Sequence, residues 1–501
     1  MLIIEKNKHS SKIVILLSNL SAKFYIATIN FIFIPVYINK LGLEVWGVVS
    51  FFASITAISN IVEGSLSTLT IKESANKNVN ALISIQKYYW KGSKFFFIGL
   101  LLLTPIWVFY WLKFKELSNI YIISYFIILS LTFFFQFPQS FYVSNLIGQQ
   151  RNLQVNILSV FIWTLKIGGT LLILFIVKNG VSTVFFSWQL IIAILFLGLL
   201  KYLCRDTVKV TDSNILIEET INIKSHITHM VTISFIFMCY NQADKIIISY
   251  FYDVSTFGAY ALAWQIIGAA QLIYAPIYTV YLAIFSKLTD NENEILLLQN
   301  FKESTQLLGY IILIISLTLF FYSEEIVNIW LNGTIATYEK DVADTLKAIS
   351  ISVFFNSIIY IPYCLSIAFH KEKIIIKGLL FFLILLLVSY ALCIFFKGTS
   401  SDIGYLFTIV TGIQAIFISI LVVKYLIPKV LKNWLIFDVL LPNFCAFIIF
   451  YILVIFQKNF INTPYKGLDI VFVIILSLLI NCLFYKQLFL KIKTYAYYGF
   501  R

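Results

Sequence analysis

Apolar runs about as long as a bilayer is thick recur along the whole chain. A helix needs about 20 largely apolar residues to cross the hydrocarbon core. Fourteen segments qualify: 14–38, 46–68, 94–112, 118–137, 154–177, 181–203, 227–252, 257–286, 306–331, 345–369, 374–396, 403–427, 435–456 and 468–490. Strand-like alternation in ten-residue units is absent, so no β-barrel is expected. Of 501 residues, 60% are hydrophobic and 12% charged, whereas a soluble domain carries roughly 25% charged residues. Charge this sparse cannot coat a water-facing surface. The expected fold is an all-α polytopic membrane protein, which excludes a secreted domain, a cytosolic enzyme and a disordered chain.

The net charge of +13 invites a nucleic-acid reading in a soluble protein. In a membrane protein it first reports orientation. With fourteen spans, 25 of the 37 basic residues fall on the side that holds both termini, eight on the other, and Lys23, Lys166, Lys245 and Lys347 in or at the edge of spans. Both termini are therefore expected in the cytoplasm. Lys6, Lys8 and Lys12 precede an apolar run too long for a cleaved signal peptide, so the first span is expected to stay. The six cysteines lie in or beside apolar runs with no Cys-x-x-Cys pair and read as small buried hydrophobes. The longest connection, 204–226, suggests an outline of 1–203, a linker at 204–226, 227–428, and a final pair of helices in 429–501. Trp46-Gly47 opens the second span and Phe257-Gly258 the eighth. That faint repeat fits two six-helix bundles with a substrate site between them.

Ionisable groups inside a span are costly and mark candidate sites. At about 100° per residue, Asn19, Lys23, Asn30 and Tyr37 share one face of the first span. Ser159, Trp163, Lys166 and Thr170 share a face of the fifth, and Ser234, Asn241 and Lys245 of the seventh, with Asp244 beside them. The second span adds Asn60, Glu63 and Ser67, and the eighth Gln271, Tyr274 and Tyr278. Such faces either line a hydrated cavity or act as polar glue between helices. Lys23 and Lys166 lack an acidic neighbour one turn away, and a lysine suits phosphate as a compact point charge. Pro35, Pro105, Pro138, Pro276 and Pro362 can kink their helices. No nucleotide-binding loop or His-Glu-x-x-His motif occurs, and His226 and His229 lack further metal ligands nearby in sequence.

Five ordered stretches carry a family likeness. They are Phe33-Ile34-Pro35-Val36-Tyr37 through Gly42; Glu63-Gly64-Ser65-Leu66-Ser67-Thr68; Asn241-Gln242-Ala243-Asp244-Lys245; Glu325 through Trp330-Leu331; and Asn356 through Pro362-Tyr363. With them the chain resembles the O-antigen flippases, the Wzx-type polysaccharide-biosynthesis branch of the multidrug/oligosaccharidyl-lipid/polysaccharide exporter superfamily. That family usually has Asp where Glu63 stands. The resemblance implies two six-helix bundles facing a central cavity. It also implies a carrier of undecaprenyl-diphosphate-linked oligosaccharide from the inner to the outer leaflet of a bacterial inner membrane. On that reading Lys23, Lys166, Lys245, Asn19, Asn30 and Asn241 line the substrate path. Asp244 and Glu63 couple to a proton or sodium ion, and no other cofactor or metal is expected. Partners are the lipid-linked sugar, membrane lipid, and a polysaccharide polymerase with its chain-length regulator, but no nucleic acid.

Two other readings compete. A polymerase or ligase needs a sizeable outward loop with catalytic Arg, Asp or His, and the outward loops here are short. A multidrug exporter binds cations and needs cavity carboxylates, whereas this chain places lysines in three spans. A reporter active only outside the cytoplasmic membrane, fused after Lys340, should be active, and one fused after Asp212 silent. The same result at both sites would refute the topology between them.

Overall fold

The computed structural model describes residues 2–75, 79–112, 119–149, 151–177, 181–205, 239–271, 294–332, 337–369, 373–460 and 466–484, plus isolated residues and pairs between these stretches. Side chains are described at most positions from Ser21 onward. No strand occurs among the described residues. Nine helices among them are long and apolar enough to cross a membrane, and Leu43–Ser54 and Gly467–Ile480 are shorter apolar helices. The all-helical polytopic fold is therefore present. The count of fourteen is not reached among the described residues; parts of the expected seventh and eighth spans lie outside them, as do Pro276, His226 and His229. Packing divides the chain into Met1–Gly258 and Ala259–Arg501. The expected linker lies, beyond Arg205, outside the described residues.

The first unit holds α1 (Leu2–Leu41), α2 (Leu43–Ala75), α3 (Val79–Leu112), α4 (Asn119–Gln136), α5 (Gln139–Gly148), α6 (Asn152–Ile176), α7 (Val181–Leu203), α8 (239–251) and the start of α9 (Val254–Gln271). The first three helices run 33 to 40 residues. They exceed the roughly 20 residues that hydrocarbon requires and extend past their expected spans. Gly42 turns α1 into α2 at φ +85°, where a Cβ would be strained.

A loop was expected between the fourth and fifth spans; the structure has α5 there. Pro138 interrupts the helix after α4. The chain then resumes as a short helix lodged against α2. The Ser74 hydroxyl reaches the Asn145 carbonyl at 2.8 Å and its Oδ1 at 2.7 Å. A Cβ on Gly148 would stand 2.6 Å from the Ile71 carbonyl, so a small residue there lets the backbones approach.

The two helix starts that carry the aromatic–glycine pairs pack on each other. A Cβ on Gly47 would lie 2.7 Å from the Val254 carbonyl, and one on Gly258 2.8 Å from the Leu43 carbonyl. Phe51 and Phe257 close the contact edge to face, centroids 6.5 Å apart.

In the second unit, α10 (Glu294–Phe321), α11 (Ser323–Leu331), α12 (Glu339–Ala368), α13 (Lys373–Phe395) and α14 (Ser400–Leu426) precede a short stretch that ends in a π-helical run, Trp434–Leu440. Then come α15 (Leu441–Phe460) and α16 (Lys466–Phe484). The ninth span was expected as one helix through Leu331; it breaks at Tyr322. Ser323, Glu324 and Glu325 start the new helix, where acidic residues favour the positive end of the helix dipole.

The α12–α14 seam is built from small residues. Gly404, Thr408 and Gly412 recur every four positions on α14. The Thr408 hydroxyl donates to the Ala348 carbonyl at 2.6 Å. Thr399 and Asp402 form a capping box at the start of α14.

The last two helices are built into this unit. Tyr310, Leu313, Ile314 and Leu317 of α10 share a buried cluster with Ala446, Phe450 and Val454 of α15 and with Ile470 and Val473 of α16. The Trp434 indole donates to Thr305 Oγ1 at 3.2 Å, and Tyr310 donates to the Leu478 carbonyl at 3.0 Å. Tyr322 donates to Gln457 Oε1 at 3.0 Å, and Gln457 to Asp469 at 3.3 Å.

A Cβ on Gly412 would stand 2.8 Å from the Phe355 ring, whereas one on Gly268 meets nothing within 4 Å. Gly412→Val should cost about 1–3 kcal/mol by overpacking and lower the thermal midpoint in detergent. Gly268→Ala should leave that midpoint unchanged or raise it slightly.

Candidate functional site

On α6 the exposed residues Leu153, Ile157, Phe161, Leu172 and Phe175 define an outer side. Lys166 lies about 180° around the helix from Ile157. It shares its side with buried Val155, Ile162 and Thr170, so the polar face points into the unit.

Lys166 is half-buried, and its Nζ rests over the Trp163 ring, 4.5 Å from the centroid. Among the described residues no carboxylate contacts this ammonium. The backbone beneath it is fixed from α7. The Trp188 indole donates to the Lys166 carbonyl at 3.0 Å, and the Thr170 hydroxyl donates to the same carbonyl at 2.7 Å. Gln189 Nε2 in turn reaches Thr170 Oγ1 at 3.3 Å. The Trp188 ring fills the space where Gly169 lacks a side chain. Lys166 is thus a cation on a rigid mount.

On α1, which packs against α6, the stripe grades along the helix. Lys23 is exposed, Asn30 half-buried and Tyr37 buried. The side chain of Asn19 lies outside the described residues. Tyr25 and Thr164 hydrogen bond at 2.9 Å and tie α1 to α6. Lys23 and Lys166 are thus carried by neighbouring helices of one unit, with Lys23 the more exposed.

The third polar face differs. Asp244 on α8 is fully buried and lies within electrostatic reach of Lys245. Lys245 Nζ donates to the Asn241 carbonyl, one turn earlier, at 3.0 Å. The Lys245 ammonium is therefore hydrogen-bonded to its own backbone, whereas that of Lys166 rests on an aromatic face. Glu63 on α2 accepts a hydrogen bond from the Ser140 hydroxyl of α5, and Tyr89 of α3 donates to the Glu63 carbonyl at 3.3 Å. The Asn60 side chain lies outside the described residues. Among those described, no group of three His, Cys, Asp or Glu residues could hold a metal. Burial pushes the Cys204 thiol, just past α7, up to about 11, which keeps it protonated and unreactive.

Trp188, Gln189 and Ser140 escaped the sequence reading. Trp188 and Gln189 are polar-tipped residues inside the apolar α7, and the face test applied to the other spans would have found them had it been extended to the sixth.

A family model described as "Polysaccharide biosynthesis protein" matches residues 41–336. No curated protein matches significantly. Among solved structures, the lipid II flippase MurJ in an inward closed conformation aligns with TM-score 0.68 and 14% identity, covering 95% of this chain and 100% of its own. An inward-facing multidrug resistance MATE family transporter of the MOP superfamily aligns with TM-score 0.65 and 11% identity, covering 81% and 95%. The Vibrio cholerae MATE transporter VcmN aligns with TM-score 0.59 and 11% identity, covering 85% and 100%. At these identities the likeness establishes the fold.

Gly168 and Gly169 test the mount of Lys166. A Cβ on Gly168 meets nothing within 4 Å, whereas one on Gly169 collides with the Trp188 ring. Gly169→Ala should displace that ring, costing about 1–3 kcal/mol and lowering the thermal midpoint. Gly168→Ala should leave the midpoint within a degree or two of the parent.

Proposed function

The chain belongs to the polysaccharide biosynthesis protein family, and on that premise we propose that it is a flippase for prenyl-diphosphate-linked oligosaccharide. The proposed substrate is the undecaprenyl-linked repeat unit of O-antigen or a similar surface polymer, moved across a bacterial inner membrane with both termini cytoplasmic. The observation that carries this reading is Lys166: a half-buried ammonium on the inward side of α6, held on a fixed backbone and facing no carboxylate among the described residues. Keeping an isolated cation in a span is expensive, and an anionic load offsets that cost.

The proposed sequence of events follows from exposure. Lys23, the more open cation, meets the diphosphate first. Lys166 takes it deeper, where lower dielectric strengthens the charge-assisted hydrogen bonds. Asn30 and Asn241 supply amides for sugar hydroxyls, and the prenyl tail stays in lipid. Lys245, engaged with the Asn241 carbonyl, becomes available only if that bond opens. Asp244 is the proposed coupling carboxylate, since a proton or sodium ion bound there changes the charge it presents to Lys245. Glu63 is a second candidate, through its bond to Ser140. A polymerase and its chain-length regulator are proposed to act on the delivered unit.

In a strain lacking the gene, surface polymer should be absent and lipid-linked units should accumulate on the cytoplasmic side. Complementation with Lys166→Met should give normal membrane levels by immunoblot but no polymer. Lys166→Arg should restore part of it by keeping the charge. The same pattern is expected at Lys23. Full polymer from both Lys→Met variants would sink the cationic path.

A further inference from the structure

Lys166 does not present its ammonium to open solvent. Among the described residues, its partner is the face of Trp163, three positions earlier on α6 and half-buried beside it. Trp188 and Thr170 hold the Lys166 carbonyl and Trp188 fills the groove at Gly169, so the backbone at this turn is fixed. The flexible part is the four-carbon stem of the lysine. The ammonium can therefore leave the indole by changing rotamers while the helix stays in place.

A cation over an indole face is held through the ring quadrupole. A diphosphate offers full negative charge and several acceptor oxygens, and charge-assisted hydrogen bonds of that kind are the stronger interaction. An arriving diphosphate thus draws the ammonium off the ring. The uncovered face of Trp163 is flat, apolar and adjacent to the bound anion. The first sugar of a prenyl-diphosphate-linked glycan is attached directly to that anion. The C–H face of a pyranose suits an aromatic ring, through apolar contact and weak C–H donors.

We infer that Trp163 is an exchange platform: its face stores the Lys166 ammonium when the site is empty and receives the sugar next to the diphosphate when the site is loaded. The inference rests on the flippase reading and adds a specificity determinant to it. Trp163 makes the site favour a glycosylated diphosphate over a bare one, so that the empty prenyl diphosphate does not compete with the load.

The test measures binding to the full-length chain in lipid nanodiscs. The probes are inorganic pyrophosphate, farnesyl diphosphate, and farnesyl diphosphate carrying one N-acetylhexosamine. Wild type should bind the glycosylated probe more tightly than the bare prenyl diphosphate. Trp163→Leu removes the competitor for the ammonium. It should bind pyrophosphate more tightly, by about 2- to 30-fold, the range that a cation–π contact spans, and should lose the preference for the glycosylated probe. Trp163→Phe keeps a weaker face and should fall between the two, which separates loss of the face from misfolding. Unchanged or weaker pyrophosphate binding in Trp163→Leu would overturn the inference, as would a glycan preference that survives the substitution. Lys166→Met should lose pyrophosphate binding. If it does not, the anchor reading fails, independently of what Trp163 does.

Discussion

A charge inside hydrocarbon costs about 2.5–3.5 kcal/mol on insertion scales, and much of the first unit is arranged around that cost. α6 turns Leu153, Ile157 and Phe161 outward and Lys166 inward. The Trp163 face, the Trp188 indole and the Thr170 hydroxyl then surround one turn of helix. On α8 the same cost is met differently: Lys245 donates to a backbone carbonyl with Asp244 alongside. Each lysine is met by its own helix, one at a backbone carbonyl and the other at an aromatic ring.

Close helix approach is the second theme, and glycine is its means where a side chain has to fit. At Gly169 the missing Cβ admits an indole; at Gly412 it admits a phenyl ring; at Gly47 and Gly258 it admits backbone carbonyls. In lipid, where apolar burial between helices supplies little drive, such fits supply the contact area for association.

Patterns within one helix were legible in the sequence. The spans at 181–203, 374–396 and 403–427 match helices Val181–Leu203, Lys373–Phe395 and Ser400–Leu426 closely. The stripe on α6 does face inward. Features that depend on distant partners were not legible. α5 forms in an expected loop because α2 offers it Ser74 and a tight seat at Gly148. The break at Tyr322 goes with a bond to Gln457, 135 residues away. Trp188 matters through a carbonyl 22 residues earlier. The paired aromatic–glycine motifs suggested a repeat; the structure adds that the helix starts carrying them pack together.

Helix α10 resembles a beam pinned from its middle to its far end. In its middle the indole of Trp434 holds Thr305, five residues on Tyr310 is tied to Leu478, and just past its end Tyr322 is tied to Gln457. Three fastenings and a buried apolar cluster leave α10 unable to slide against α15 and α16 without breaking polar contacts in a low-dielectric setting. A load applied to α10 is therefore shared at once by the last two helices.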